Sequence, residues 1–169
     1  QLHRQSCVGY SIFQPGDQSN TADNMNNKAK LHIFGEVLFD CFPSGEQILG
    51  GAPFNVAWHL QAMGDQPSFI SRVGKDVHGV RILQEMQNWG MSTAAVQIDA
   101  ELPTGRVEVT VHNDEPGYEI VADCAYDFIS TEQLPDPIAE GILYHGTLCL
   151  RNQTSRNTLQ EISQKNNLR

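Results

Sequence analysis

Positive charge is scarce in this chain: 11 Lys and Arg stand against 20 Asp and Glu in 169 residues, a formal net charge of −9. A nucleic-acid surface needs basic side chains clustered on one face, so that class of partner is excluded. Long apolar runs are missing too. No stretch approaches the roughly 18 to 20 residues that cross a bilayer, and the first residues carry no signal-peptide apolar segment. The four cysteines, Cys7, Cys41, Cys124 and Cys149, form no C-x-x-C pair and have no histidines at matching spacing, so neither a zinc site nor a disulfide framework is signalled. Reduced thiols in a soluble, cytoplasmic protein are expected. A P-loop is also lacking. The one Gly-Lys pair, Gly74-Lys75, has Phe69 where the leading glycine belongs and Asp76 where Ser or Thr belongs.

What is present suffices for one compact domain with a real core. Residues 1–30 are polar and rich in Asn, Asp and Ser, which predicts a disordered leader. Structure is expected from Leu31. "LHIFGEVLFD" reads as one buried strand, with a short extended piece at residues 47–49. Helical spacing follows over residues 53–63, with Pro53 suited to the first helical position, and Gly64 ends it. "PSFISRVG" is a second strand. "DVHGVRILQEMQNWG" is a helix expected to bury Val80, Leu83 and Met86 and to stop at Gly90. "AAVQID" is a third strand, and residues 104–122 alternate as a half-exposed ribbon with a turn at residues 113–117. "GILYHGTLCL" reads as a buried strand and "TSRNTLQEISQKN" as a helix capped by Thr154 or Ser155. Strand and helix alternating in this way predict a parallel α/β sheet. The chain opens on Gln1 and closes on "QKNNLR", which reads as a fragment.

The stretch "GGAPFNVAWHLQAMG", residues 50–64, carries the chemistry. In parallel α/β sheets ligands gather where strands end and helices begin. Gly50 and Gly51 let backbone approach a ligand, the helix start offers unpaired N–H groups, and Asp40 and Asn55 supply acceptors and a donor. Vicinal hydroxyls would be gripped well. The competing reading is a tight βα turn with local caps. Lys75 and Arg106 are further candidates for sugar oxygens or an acidic sugar, against the alternatives of a solvated lysine and an arginine covering the sheet face. Asp76 could equally cap its own helix. His59 and His78 lack partners at metal-ligand spacing, so no metal site or catalytic role is assigned to them. Trp58 and Trp89 are expected to pack, and Tyr126 and Asp127 to support.

Gly50, Gly51, Pro53, Asn55, Ala57, Gly64 and Gly74 resemble the N-terminal signature of the PfkB family of carbohydrate kinases, the ribokinase and fructokinase group. "GEVLFD", with Asp40 as its sugar-contacting acid, "RVGKDVHG" with Gly74, Asp76 and Gly79, and the ribbon followed by "AYDFI" are similar to the same family. The resemblance implies a ribokinase-like α/β fold: a parallel sheet with flanking helices and a small β lid over about residues 104–122. Residues 31–169 would be only the N-terminal half.

The resemblance also implies transfer of the γ-phosphoryl group of ATP, with Mg2+, to a sugar hydroxyl; fructose is the first expectation. Asp40, Gly50, Gly51, Asn55, Lys75 and Arg106 would bind the sugar. The family's Gly-Ala-Gly-Asp run, which carries the base and the anion hole, occurs nowhere in the 169 residues. No catalytic residue, ATP site or Mg2+ site is therefore assigned to this chain, and it is expected to be inactive alone. The rival expectation is a catalytically silent sugar-binding module, or one pairing with a second copy through the ribbon.

Overall fold

The computed structural model describes residues 29–112, 115–135, 138, 140–165 and 167–168. Nearly all of the expected leader and the tip of the ribbon turn, residues 113–114, lie outside the described residues. The chain runs through β1 (Leu31–Phe34), β2 (Leu38–Cys41), β3 (Gln47–Gly50), α1 (Ala52–Ala62), β4 (Ser68–Gly74), α2 (Val77–Asn88), β5 (Val96–Asp99), β6 (Gly105–His112), β7 (Glu115–Ile120), β8 (Glu140–His145), α3 (Gln153–Lys165) and β9 (Asn167–Leu168). Short 3-10 turns lie at Ala125–Phe128, Thr131–Gln133 and Leu148–Arg151.

Two sheets result. The first is wholly parallel, in the order β5-β4-β1-β8-β9. The second is mixed, in the order β3-β2-β6-β7, with β2 and β6 parallel and both outer pairs antiparallel.

Strand alternation explains the two cores. Successive side chains point to opposite faces, so Ile33 and Phe69 join Phe54, Ala57, Ile82 and Met86 under α1 and α2. Their neighbours Phe34 and Ile70 join Tyr126, Ile129, Leu159 and Ile162 under α3. β1 and β4 are thus buried on both faces, as central parallel strands require, whereas β8, expected to be buried, leaves Ile142 and Tyr144 45% and 42% exposed. On the first side Trp58 and Trp89 stack with centroids 4.9 Å apart and planes within 1°, and the Trp89 indole N–H donates to the Trp58 carbonyl at 3.2 Å.

Several elements differ from expectation. The strand over residues 31–40 is two strands in different sheets: β1 ends its pairing where the Gly35 N–H donates to Ile70 O at 3.1 Å, and β2 departs into the mixed sheet. In α2 the buried positions are Gly79, Ile82 and Met86, while Val80 faces solvent. The helix is phased by Gly79, which is pressed against the Gly74 carbonyl. Strand β8 stops at His145, and the cysteine-bearing end of the expected strand is a 3-10 turn. The cap of α3 is Asn152, whose Oδ1 accepts from Thr154 N at 2.9 Å. Ser155 is instead buried, accepting from Ile129 N and donating to Tyr126 O.

Candidate functional site

Asp40 lies in the middle of the mixed sheet, in register with Ile48 on one side and Val107 on the other. Its carboxylate passes over the end of β3: a Cβ on Gly50 would sit 3.5 Å from Asp40 Oδ2. Gly51, the N-cap of α1, has φ 112° and no side-chain cap. A Cβ there would stand 2.7 Å from the Glu36 carbonyl oxygen and 3.1 Å from Val37 Cα. Only glycine combines that φ with that approach. The helix therefore opens with bare backbone beside an acid.

Asn55 begins the helical ladder, its N–H donating to Gly51 O at 2.9 Å. Its side chain is exposed and borders a hollow of about 250 Å3 with Leu49, Phe54, Trp58, Arg81 and Glu85. Lys75 is exposed at the end of β4, tied by its N–H to Asp99 O at 2.7 Å. Arg106 pairs in register with Phe39, so it points to the sheet face opposite Asp40, where it meets Glu108 at 3.0 Å. Asp40, Gly50 and Gly51 are thus brought together. Asn55 lies one helical turn on, whereas Lys75 and Arg106 point elsewhere.

The face that Asp40 occupies carries residues that sequence reasoning missed. Ile48, in register with Asp40, is 47% exposed, and Ile120 and Tyr118, in register with Val107 and Val109, are 44% and 64% exposed. Apolar side chains left open around one carboxylate suit a ligand with hydroxyls on one edge and C–H groups on the other. Alternation in the ribbon was the available signal, but which face stays open depends on the partner strands.

On the same face, at the root of β6, the sheet packs on a buried cluster that holds Leu38, Val107 and Tyr126. Gly105, where β6 begins, packs its bare Cα against the ring of the fully buried Tyr126. Arg151 grips Asp127 with two bonds of 2.7 Å, and also reaches Val121 O at 2.6 Å and the Tyr126 hydroxyl at 3.1 Å. Burial pushes the Tyr126 phenol well above its usual range and the Cys149 thiol up to about 12. Both groups are therefore neutral.

Glu36 is 4% exposed, and its Oε2 has no hydrogen-bond partner among the described residues. Burial lifts its pKa, against the lowering effect of backbone hydrogen bonds at Glu36, Cys149 and Ala52 and of the Arg151 charge.

Among the described residues no group of three or more His, Cys, Asp or Glu is placed to hold a metal ion, and no phosphoryl-transfer step is assigned to these side chains. No helix is long and apolar enough to cross a membrane, among the described residues.

Comparison with known proteins agrees with this architecture. The profile of the pfkB family carbohydrate kinase matches residues 27–141. The uncharacterized sugar kinase PH1459 of Pyrococcus horikoshii is 30% identical over 118 residues, covering 69% of this chain and 38% of that protein. Its crystal structure superposes with a TM-score of 0.72 over 80% of this chain and 50% of that one, at 27% identity. A fructokinase of Klebsiella pneumoniae is 31% identical over 136 residues, 76% of this chain and 44% of its own length. The apo fructokinase of Vibrio cholerae O395, 23% identical, shares the fold with a TM-score of 0.74, over 81% of this chain and 49% of that one. The chain thus spans half or less of the length of these relatives.

Proposed function

The chain belongs to the pfkB family of carbohydrate kinases, and from that premise we propose that it forms the sugar-holding part of a fructokinase-like enzyme. That enzyme would transfer the γ-phosphoryl group of ATP, with Mg2+, to a sugar hydroxyl. Residues 31–169 are the N-terminal part of the kinase domain, and residues 104–122 are the ribbon of its lid. Asp40 accepts from sugar hydroxyls, the Gly50-Gly51 backbone lets the ring come close, and Asn55 holds the rim. The base and the anion hole belong to a part of the enzyme outside these residues, so these 169 residues do not turn over ATP and sugar unaided. The three described cysteines are free thiols, which suits a reducing, cytoplasmic setting.

The observation that carries this reading is the Asp40 carboxylate beside Gly50, on the face of the mixed sheet where Ile48 and Ile120 stay exposed. Fructose is the first substrate because the Klebsiella relative bears that name. Titration calorimetry of the full chain against fructose, ribose and a keto-deoxy sugar acid tests it. Fructose should bind most tightly, and Asp40→Ala should weaken it by about 10-fold to 100-fold, the worth of hydrogen bonds to a charged acceptor. Equal affinity in Asp40→Ala, or no sugar binding in the native chain, sinks the proposal.

The exposure of Tyr118 and Ile120 on the ribbon favours a second reading: a silent module that pairs with another copy through this strand. Sedimentation would then give a dimer whose population fructose does not alter.

A further inference from the structure

The G-x-D-x-x-G stretch, Gly74 to Gly79, is not used by the site described above, and its chemistry is largely accounted for by internal contacts. The Asp76 carboxylate takes up three donors: Gly79 N–H at 2.8 Å, Thr104 N–H at 2.8 Å and the Thr104 hydroxyl at 2.7 Å. The same Thr104 oxygen accepts from Gly74 N–H at 2.9 Å. Thr104 is 1% exposed.

The glycines are demanded by this knot. A Cβ at Gly74 would stand 2.6 Å from both Leu102 O and Thr104 N and 2.7 Å from Asp76 Oδ2, and one at Gly79 would run into the Gly74 carbonyl. Burial tends to raise the Asp76 pKa, but the hydrogen bonds from Thr104 and Gly79 outweigh it and hold it below the usual aspartate value. Three of its roughly four acceptor positions are occupied, which leaves Asp76 at most one for a sugar.

The position of the knot gives it a role. Thr104 is the last residue before Gly105, where β6 enters the mixed sheet, and Asp76 caps α2 against the parallel sheet. The preceding segment is pinned as well: Asp99 Oδ1 accepts from Glu101 and Leu102 N–H, and Ala125 N–H donates to Pro103 O. The lid strand thus leaves the rigid body at one buried hydroxyl.

We propose that Asp76 and Thr104 are positioning residues that latch the root of the four-stranded sheet to the start of α2 and so set the height of the Asp40 face over the sugar. This rests on reading that sheet as the cover of a sugar site. Thr104→Val keeps the shape but removes the donor to Asp76 and the acceptor for Gly74. Thr104→Ser keeps both.

Hydrogen exchange of the full chain, read by mass spectrometry, tests the latch without any assay of activity. Thr104→Val should speed exchange across residues 105–112 and 115–120 by about 10-fold or more, and at Gly74, which loses its acceptor, while β4 from residue 68 to residue 73 exchanges as in the native chain; Thr104→Ser should restore the native pattern. Fructose affinity should fall about 10-fold in the valine variant and recover in the serine variant. Unchanged exchange in the ribbon, or acceleration spread evenly over β4 and the ribbon, overturns the latch. If the ribbon loosens selectively but fructose binds neither the native chain nor the variants, the latch stands and the sugar-kinase reading falls.

Discussion

At Glu36 a charge is placed where the fold disfavours it. Its ordinary pKa is 4.5, and burial raises the folded value. A raised carboxyl supports the fold fully below the unfolded pKa, and that support is lost as pH climbs through the folded one. Glu36→Gln, which does not titrate, should therefore gain stability over the native chain as pH climbs above the ordinary value of 4.5 in paired urea melts, with little difference at the acid end. A native chain that keeps pace with the variant across that range would contradict the burial argument. Legibility at this scale was uneven. That Asp40 and Gly50 would lie side by side could be read because a strand end, a bare backbone and a helix start fall together in sequence. The direction of Arg106 could not, since it depends on register with Phe39, and a slip of one residue inverts every side chain.

Elements were legible in kind and less so in their limits. The period of apolar residues identified α1, α2, β4 and β5, yet α2 turns Val80 outward because Gly79 alone can lie against β4. Packing of this kind overrides a hydrophobic count. The start of α3 makes the same point with a measurable outcome. Asn152 holds the free Thr154 N–H, so Asn152→Ala should cost about 1 kcal/mol in chemical denaturation. Thr154→Ala, which removes only an exposed hydroxyl, should fall within about 0.5 kcal/mol of the native chain. Equal costs for both would return the cap to the position that the sequence favours.

For the molecule as a whole, alternation of strand and helix correctly implied a parallel sheet, but nothing local foretold that residues 31–41 divide between two sheets. That division is tertiary: β2 finds its partners at β3 and β6, the latter more than 60 positions away. Ligand linkage acts at this scale too. If the Asp40 face holds fructose in the folded chain alone, sugar at 100 times its Kd should raise stability by about 2.7 kcal/mol. A melting curve unmoved by saturating sugar would argue against a preformed cradle.

The stacked pair of indoles has an optical consequence. The chain has two tryptophans, and both are in that single contact between α1 and the end of α2. Tryptophan emission, excited selectively, therefore samples the layer under α1 and α2 and not the layer under α3. An unfolding curve followed by fluorescence will track the far-ultraviolet dichroism signal only if the two layers let go together. A gap between the curves would reveal a half-molten chain, with its spectroscopic reporter already built in.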